Sequence, residues 1–306
     1  MKQDSVKKHI YIYSPSGAVR DKAAFRRGVA RLKALGHEVE IDSAALASHL
    51  RFAGDDETRL AAIHRAAASG ADLALVSRGG YGLTRILPAL DYRALARAGK
   101  RWVGLSDFTA FQLAMLARAR AVTWSGPTLL DDFGAERFAD VDEVTLGTFR
   151  EAMSGVLEAV GFRCGGPAGV EARGTLWGGN LSIVCALLGT AWFPKVTGGI
   201  LFVEDVNEHP YRVERMLTQL LHAGVIDRQK AVLLGYFTRY RLTDADRGFD
   251  LPAVVKWLRS QTKTPIVTGL PFGHASPKLT LPHGAQVALA TEGRTCYLVL
   301  DEHHRH

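Results

Sequence analysis

Through its first half, this chain alternates short apolar runs with longer amphipathic stretches, and that rhythm restricts its fold more than any other feature. Residues 9–13, 39–41, 73–76, 102–105 and 122–124 read as strands. Residues 22–35, 57–68, 84–98 (broken at Pro88) and 107–119 repeat their apolar positions near the helical period. A helix between successive strands returns the chain to the same edge of the sheet, so the strands run parallel and the helices cover both faces. The fold class is therefore α/β. In such sheets ligands gather at the carboxyl ends of the strands. Two segments fall there: Arg78-Gly79-Gly80-Tyr81-Gly82 and Gly104-Leu105-Ser106-Asp107.

The texture changes later. Residues 141–160 read as a helix, and 161–174, rich in glycine and holding Pro167, as a linker. Beyond it, a Gly-Gly-Asn start leads into an apolar helix over 176–188. Strands follow at 199–203, 231–237, 265–268, 285–290 and 295–300, with helices at 210–223 and 251–262. The expected organisation is a parallel α/β domain over 1–160, a linker over 161–174, and a smaller α/β domain of mixed strand order over 175–306. The ending Glu302-His303-His304-Arg305-His306 reads as a frayed charged tail.

Composition excludes several classes. With 306 residues, 47% hydrophobic and 23% charged, the chain is neither disordered nor too small for a large core. Its apolar runs are strand-length, so no membrane partner is expected. Lys2, Lys7 and Lys8 precede only a few apolar residues before Ser14-Pro15, too few for a secretory leader, and the expected address is cytoplasmic. Cys164, Cys185 and Cys296 lack metal-ligand spacing and read as reduced thiols. The net charge of +7 is scattered, not gathered in a stripe with aromatics, so no nucleic-acid partner is expected. A mild positive field also suits a small acidic substrate.

Chemistry can be sought in a few residues. A serine on a sharp strand-to-helix turn exposes its hydroxyl beside free amide groups, as an acyl-transfer nucleophile requires; the same residue is also an ordinary helix cap. Ser106 fits both readings, although Phe108 stands where the hydrolase elbow Gly-x-Ser-x-Gly has its second glycine. A serine nucleophile needs a base, and the base an orienting acid. Glu204 follows the apolar run 200–203 and is either that acid or a surface ion-pair partner, with Asp205, Glu208 and Glu214 as rivals. His274, in Gly269-Leu270-Pro271-Phe272-Gly273-His274, is either the base or a loop histidine, with His209, His222 and His283 as rivals; His283, between Pro282 and Gly284, looks structural. Gly79-Gly80 is a tight turn or a place where an amide approaches a ligand. Trp177 leans towards core over pocket lining. The glycine spacing matches neither a dinucleotide fingerprint nor a Walker loop, and His-Glu-x-x-His and Cys-x-x-Cys are absent, so neither cofactor nor metal is expected.

Taken together, Ser77-Arg78-Gly79-Gly80-Tyr81-Gly82, Gly104-Leu105-Ser106-Asp107, Thr175-Leu176-Trp177-Gly178-Gly179-Asn180-Leu181, the stretch from Val203-Glu204-Asp205 to Arg215-Met216-Leu217, and Pro271-Phe272-Gly273-His274 resemble the LD-carboxypeptidase family of serine peptidases, the muramoyltetrapeptide carboxypeptidases. The resemblance spans nearly the whole chain and is strongest to the Gram-negative recycling enzymes. It implies a Rossmann-like N-terminal domain, a swivelling C-terminal domain and a homodimer. It implies Ser106 as nucleophile, His274 as general base and then acid, Glu204 as the residue orienting His274, and the amides of Gly80 and Asp107 as oxyanion donors. The implied reaction removes terminal D-alanine from a murein tetrapeptide or muropeptide during cytoplasmic peptidoglycan recycling. Arg78 lies near this site, with a substrate-carboxylate role and a structural role both open.

Two alternatives stand beside it. The same fold and triad could cleave the amide of a peptide-nucleotide antibiotic and confer self-immunity. Alternatively, the chain could be a non-catalytic binding module in which Ser106 only caps a helix.

Overall fold

The computed structural model describes residues 7–301, so Lys2 and the tail 302–306 lie outside the described residues. Its strands are β1 (His9–Tyr13), β2 (Glu38–Ile41), β3 (Leu73–Val76), β4 (Arg101–Gly104), β5 (Thr123–Ser125), β6 (Ala159–Arg163), β7 (Glu171–Asn180), β8 (Ile200–Val206), β9 (Ala231–Thr238), β10 (Ile266–Thr268), β11 (Leu281–His283), β12 (Gln286–Glu292) and β13 (Thr295–Leu300). Two sheets result. One has six strands in the order β11-β5-β4-β3-β1-β2, the other seven in the order β10-β9-β8-β7-β12-β13-β6.

In the first sheet β1 to β5 are parallel, as the alternation predicts, and β11 closes the edge antiparallel to β5. The second sheet is mixed: β7 to β10 are parallel, while β12, β13 and β6 are antiparallel. Helices with aspartate caps cover the first sheet. Asp21 and Asp55 accept the Ala24 and Thr58 amides at the starts of Lys22–Ala34 and Asp56–Ala68.

Three strands depart from the sequence reading. The helix expected over 141–160 runs only from Glu143 to Ser154, ending at Gly155 in the left-handed conformation, and β6 follows. The segment 161–174 carries the end of β6 and the start of β7. The Pro282-His283-Gly284 turn is in part β11, where Pro282 is tolerated because an edge strand does not need its amide.

The helix Thr109–Ala119 is apolar on nearly every side, with each residue from Thr109 to Met115 buried. It packs against β7 and the helix Leu181–Leu187, so it lies between the two sheets. One apolar cluster runs from Ile10, Val103 and Trp124 of the first sheet to Phe202, Leu233 and Leu289 of the second. Trp177 is core: it is fully buried and its indole donates to Gln229 Oε1 at 3.0 Å. The three cysteines are free and buried. No helix among the described residues is long and apolar enough to cross a membrane.

Candidate active site

Ser106 stands just beyond the end of β4, after Leu105, and has φ +66, the left-handed region that a non-glycine residue occupies at a cost of about 1–3 kcal/mol. Its hydroxyl makes no capping hydrogen bond, and the cap position of the short 3₁₀ turn Ser106–Phe108 belongs to Leu105. The helix-cap reading of Ser106 is thereby excluded. A strained turn at the carboxyl end of a central strand is the geometry that presents a nucleophile.

Two glycine-lined contacts leave room around it. A Cβ on Gly79 would stand 2.6 Å from Ser106 Cβ and 2.9 Å from its Oγ, so only glycine permits this approach. Gly80, at φ +123, packs on Gly17, whose amide donates to the Gly79 carbonyl at 3.2 Å. Asp107 is buried, and its Oδ2 accepts the Leu83 amide at 2.9 Å, fastening the Ser106 turn to the glycine loop. Burial raises the carboxyl pKa of Asp107, against the pull of the Leu83 amide. As the second residue of its turn, Asp107 has an amide that precedes the helical ladder.

Glu204 is not a surface residue. It lies on β8 where the register with β9 shifts between Val203 and Asp205, and it is fully buried. A bulge of this kind re-aims side chains. Its Oε2 faces His274 Nδ1 at 2.7 Å, and its Oε1 accepts Asn180 Nδ2 at 3.2 Å. Gly273 has φ +137, a backbone conformation that favours glycine, and a Cβ there would stand 3.1 Å from Glu204 Oε2 and from Tyr236 Cβ, closer than ordinary van der Waals contact. Burial lowers the His274 pKa, but the hydrogen bond and charge of Glu204 outweigh it; Lys278 lowers and Asp131 raises further, and the net shift is upward. With Nδ1 committed to Glu204, Nε2 is the nitrogen left to exchange a proton.

The structure therefore joins Glu204 and His274 directly and joins Ser106 to them through intermediaries. Thr109, on the turn after Ser106, accepts the Asn180 amide on its hydroxyl at 3.0 Å, and Asn180 reaches Glu204. Among the described residues there is no hydrogen bond between the Ser106 hydroxyl and His274. Asn180 is the residue that sequence reasoning passed over. Gly-Gly-Asn signals a helix cap, and Asn180 does accept the Ile183 amide, at 3.3 Å. Asn180 Nδ2 also donates to Asp205 Oδ1 at 2.9 Å. Asp205 in turn takes Ser182 N and Oγ at 2.9 and 2.6 Å, which makes it an anchor for that helix and not a rival of Glu204.

The remaining histidines are placed differently. His209 pairs with Asp246 at 3.2 Å and caps the helix Pro210–His222, which His222 ends. His283 is fully buried beside Phe202, and burial holds its pKa down to about 3. Arg78 donates to the Ala18 carbonyl at 3.2 Å, a contact that steadies the loop next to Gly17. Among the described residues no group of three or more His, Cys, Asp and Glu is placed to hold a metal ion.

Comparison with known proteins places the chain's two regions and its fold. Residues 10–126 match the model of the LD-carboxypeptidase N-terminal domain and 173–289 that of the LD-carboxypeptidase C-terminal domain. A probable murein peptide carboxypeptidase of Bacillus subtilis is 30% identical over 276 residues, covering 87% of this chain and 84% of the relative. The crystal structure of muramoyltetrapeptide carboxypeptidase from Oxalobacter formigenes superposes with a TM-score of 0.88 at 42% identity, covering 96% of this chain and 99% of the other. The microcin C7 self-immunity protein of Escherichia coli is 26% identical over 241 residues, 69% of each chain.

Proposed function

This chain belongs to the LD-carboxypeptidase family, and on that premise we propose that it is a serine carboxypeptidase that releases terminal D-alanine from murein tetrapeptides. The relatives named for murein peptides support the substrate class. The observation that carries the chemistry is the 2.7 Å contact between His274 Nδ1 and a fully buried Glu204. A buried carboxylate on one ring nitrogen fixes the tautomer and stabilises the imidazolium that forms when the other nitrogen takes a proton.

In this reading Ser106 Oγ attacks the amide carbonyl between the L-centre of the third residue and D-alanine, giving its proton to His274 Nε2. The amides of Gly80 and Asp107 receive the oxyanion. His274 then protonates the departing D-alanine amine, leaving the tripeptide as an ester on Ser106. Water, deprotonated by the same imidazole, hydrolyses that ester and restores the serine. Approach of Ser106 to His274 belongs to the substrate complex, in which catalytic hydrogen bonds tighten. A cytoplasmic recycling role and a homodimer accompany this proposal, the second open to sedimentation analysis.

The test is mass spectrometry of free and sugar-linked murein tetrapeptides incubated with the wild type and with Ser106→Ala. Loss of one D-alanine with the wild type alone supports both substrate and nucleophile. Equal turnover by Ser106→Ala refutes the nucleophile. If no tetrapeptide is cut, peptide-nucleotide amides, suggested by the self-immunity relative, become the substrate class to examine.

A further inference from the structure

The loop that carries His274 is held at both ends. On one side, Tyr236 N of β9 donates to the Phe272 carbonyl at 2.8 Å. On the other, the loop closes on itself through Leu279 N to the Pro271 carbonyl at 2.8 Å, and its next residues are fastened to the unit that carries Ser106. Lys278 N donates to Thr145 Oγ1 at 2.8 Å, and Thr280 N to Thr148 Oγ1 at 3.3 Å. Lys278 Nζ donates to both oxygens of Asp132, each at 2.9 Å, and both side chains are buried.

Asp132 is itself tied to the oxyanion side. Its Oδ2 accepts the Thr128 amide at 2.8 Å, and in the same turn Leu130 N donates to the carbonyl of Ser77, the residue that opens the Arg78-Gly79-Gly80 loop. A continuous path of hydrogen bonds and covalent chain thus runs from the glycine loop, through Leu130, Asp132 and Lys278, to the loop of His274. A dry ion pair is a poor device for stability alone, since well-packed apolar residues do as well or better. Its directional geometry suits positioning.

We propose that the buried Lys278–Asp132 pair is a positioning clamp, setting where the His274 imidazole stands relative to Ser106 and the Gly80 amide. The clamp rests on the hydrolytic reading of Ser106, Glu204 and His274. The charged groups that act on the imidazole are Glu204, Lys278 and Asp131, so Lys278 contributes an opposing positive charge as well as a tether.

The test uses the full chain and three variants. Asp132→Asn/Lys278→Gln replaces the pair with neutral groups that can still hydrogen-bond. Thr145→Ala releases the Lys278 backbone amide, together with the Thr145 hydroxyl's bond to Asp142, and leaves the ion pair in place; Lys278→Arg retains charge and donors. Two readouts are taken: the NMR titration midpoint of the His274 ring, which needs no substrate, and kcat and KM on murein tetrapeptide. In the double variant the midpoint rises and kcat falls at least tenfold with KM nearly unchanged. Thr145→Ala lowers kcat several-fold without moving the midpoint, and Lys278→Arg keeps most of the wild-type kcat. An unmoved midpoint with unchanged kcat in the double variant overturns the clamp, as does loss of melting temperature with no change in either readout. If the double variant does not fold, unchanged kcat in Thr145→Ala is sufficient to overturn it. A wild type inactive on tetrapeptide refutes the substrate reading separately, and the ring titration still decides whether Lys278 acts on His274.

Discussion

At the scale of single residues, the contact between Glu204 and His274 has a consequence with a definite sign. The neutral imidazole is the form that accepts a proton, and its pKa is raised above the ordinary 6.5 because Glu204 overcomes the effect of burial. The acid limb of kcat/KM is therefore centred above 6.5, with activity lost as pH falls through it. Glu204→Gln removes the charge that favours the imidazolium and leaves burial to act, so the limb moves below 6.5. The same variant loses the tautomer control of the carboxylate and slows by roughly 10⁴-fold at its optimum. A pH–rate profile of the two proteins on one tetrapeptide checks both effects. A limb that stays in place would mean that another group sets it.

At the scale of elements, the first sheet was legible because amphipathic helices and apolar strands differ in period, and β1 to β5 fall within a few residues of the expected runs. The residues of the candidate site stood out by type and place: Ser106 and Gly80 at strand ends, Glu204 after an apolar run, His274 after a glycine. Hidden were the features that only pairing creates. β6 and β11 are edge strands: β6 alternates buried Val160 and Phe162 with exposed neighbours, but over only five residues and across Gly161, and β11 has three residues with Pro282 among them. The role of Asn180 was hidden because a helix-cap signal is satisfied by one hydrogen bond and says nothing of the others that the residue makes. The tight approach of Gly79 to Ser106 was likewise beyond a reading that knew only a glycine pair. That approach is testable: Gly79→Ala puts a methyl 2.6 Å from Ser106 Cβ, and something has to move. The expected result is a folded protein, by circular dichroism and melting, in which kcat falls by about 10²-fold, the cost of an ångström-scale misplacement of a reacting group. Wild-type kcat in that variant would mean that the turn yields freely.

At the scale of the whole molecule, the chain divides less cleanly in space than along its sequence. β6 (Ala159–Arg163) lies at the near end of the second half but pairs with β13, from Val299 opposite Ala159 to Thr295 opposite Arg163. β11 comes from the second half and completes the first sheet, with Leu281, Pro282 and His283 opposite Ser125, Trp124 and Thr123. Expressed alone, residues 1–160 would leave β5 as an open edge and Asp132 buried without its cation. Residues 175–306 would lack all of β6 and the first part of β7, and Lys278 would have no anion. Removing one partner of a buried pair costs about 3–5 kcal/mol, a large share of a typical domain's stability. An open strand edge invites association instead of folding. Neither piece should therefore show a cooperative thermal transition, while the full chain should melt in one transition that calorimetry and circular dichroism report at the same temperature. Two separate transitions in the full chain, or a cooperative melt from either piece, would mean that the strand exchanges are decorations on two independent folds. A single transition would mean that the halves carrying Ser106 and His274 fold only together, so that neither member of the proposed pair of nucleophile and base stands without the other.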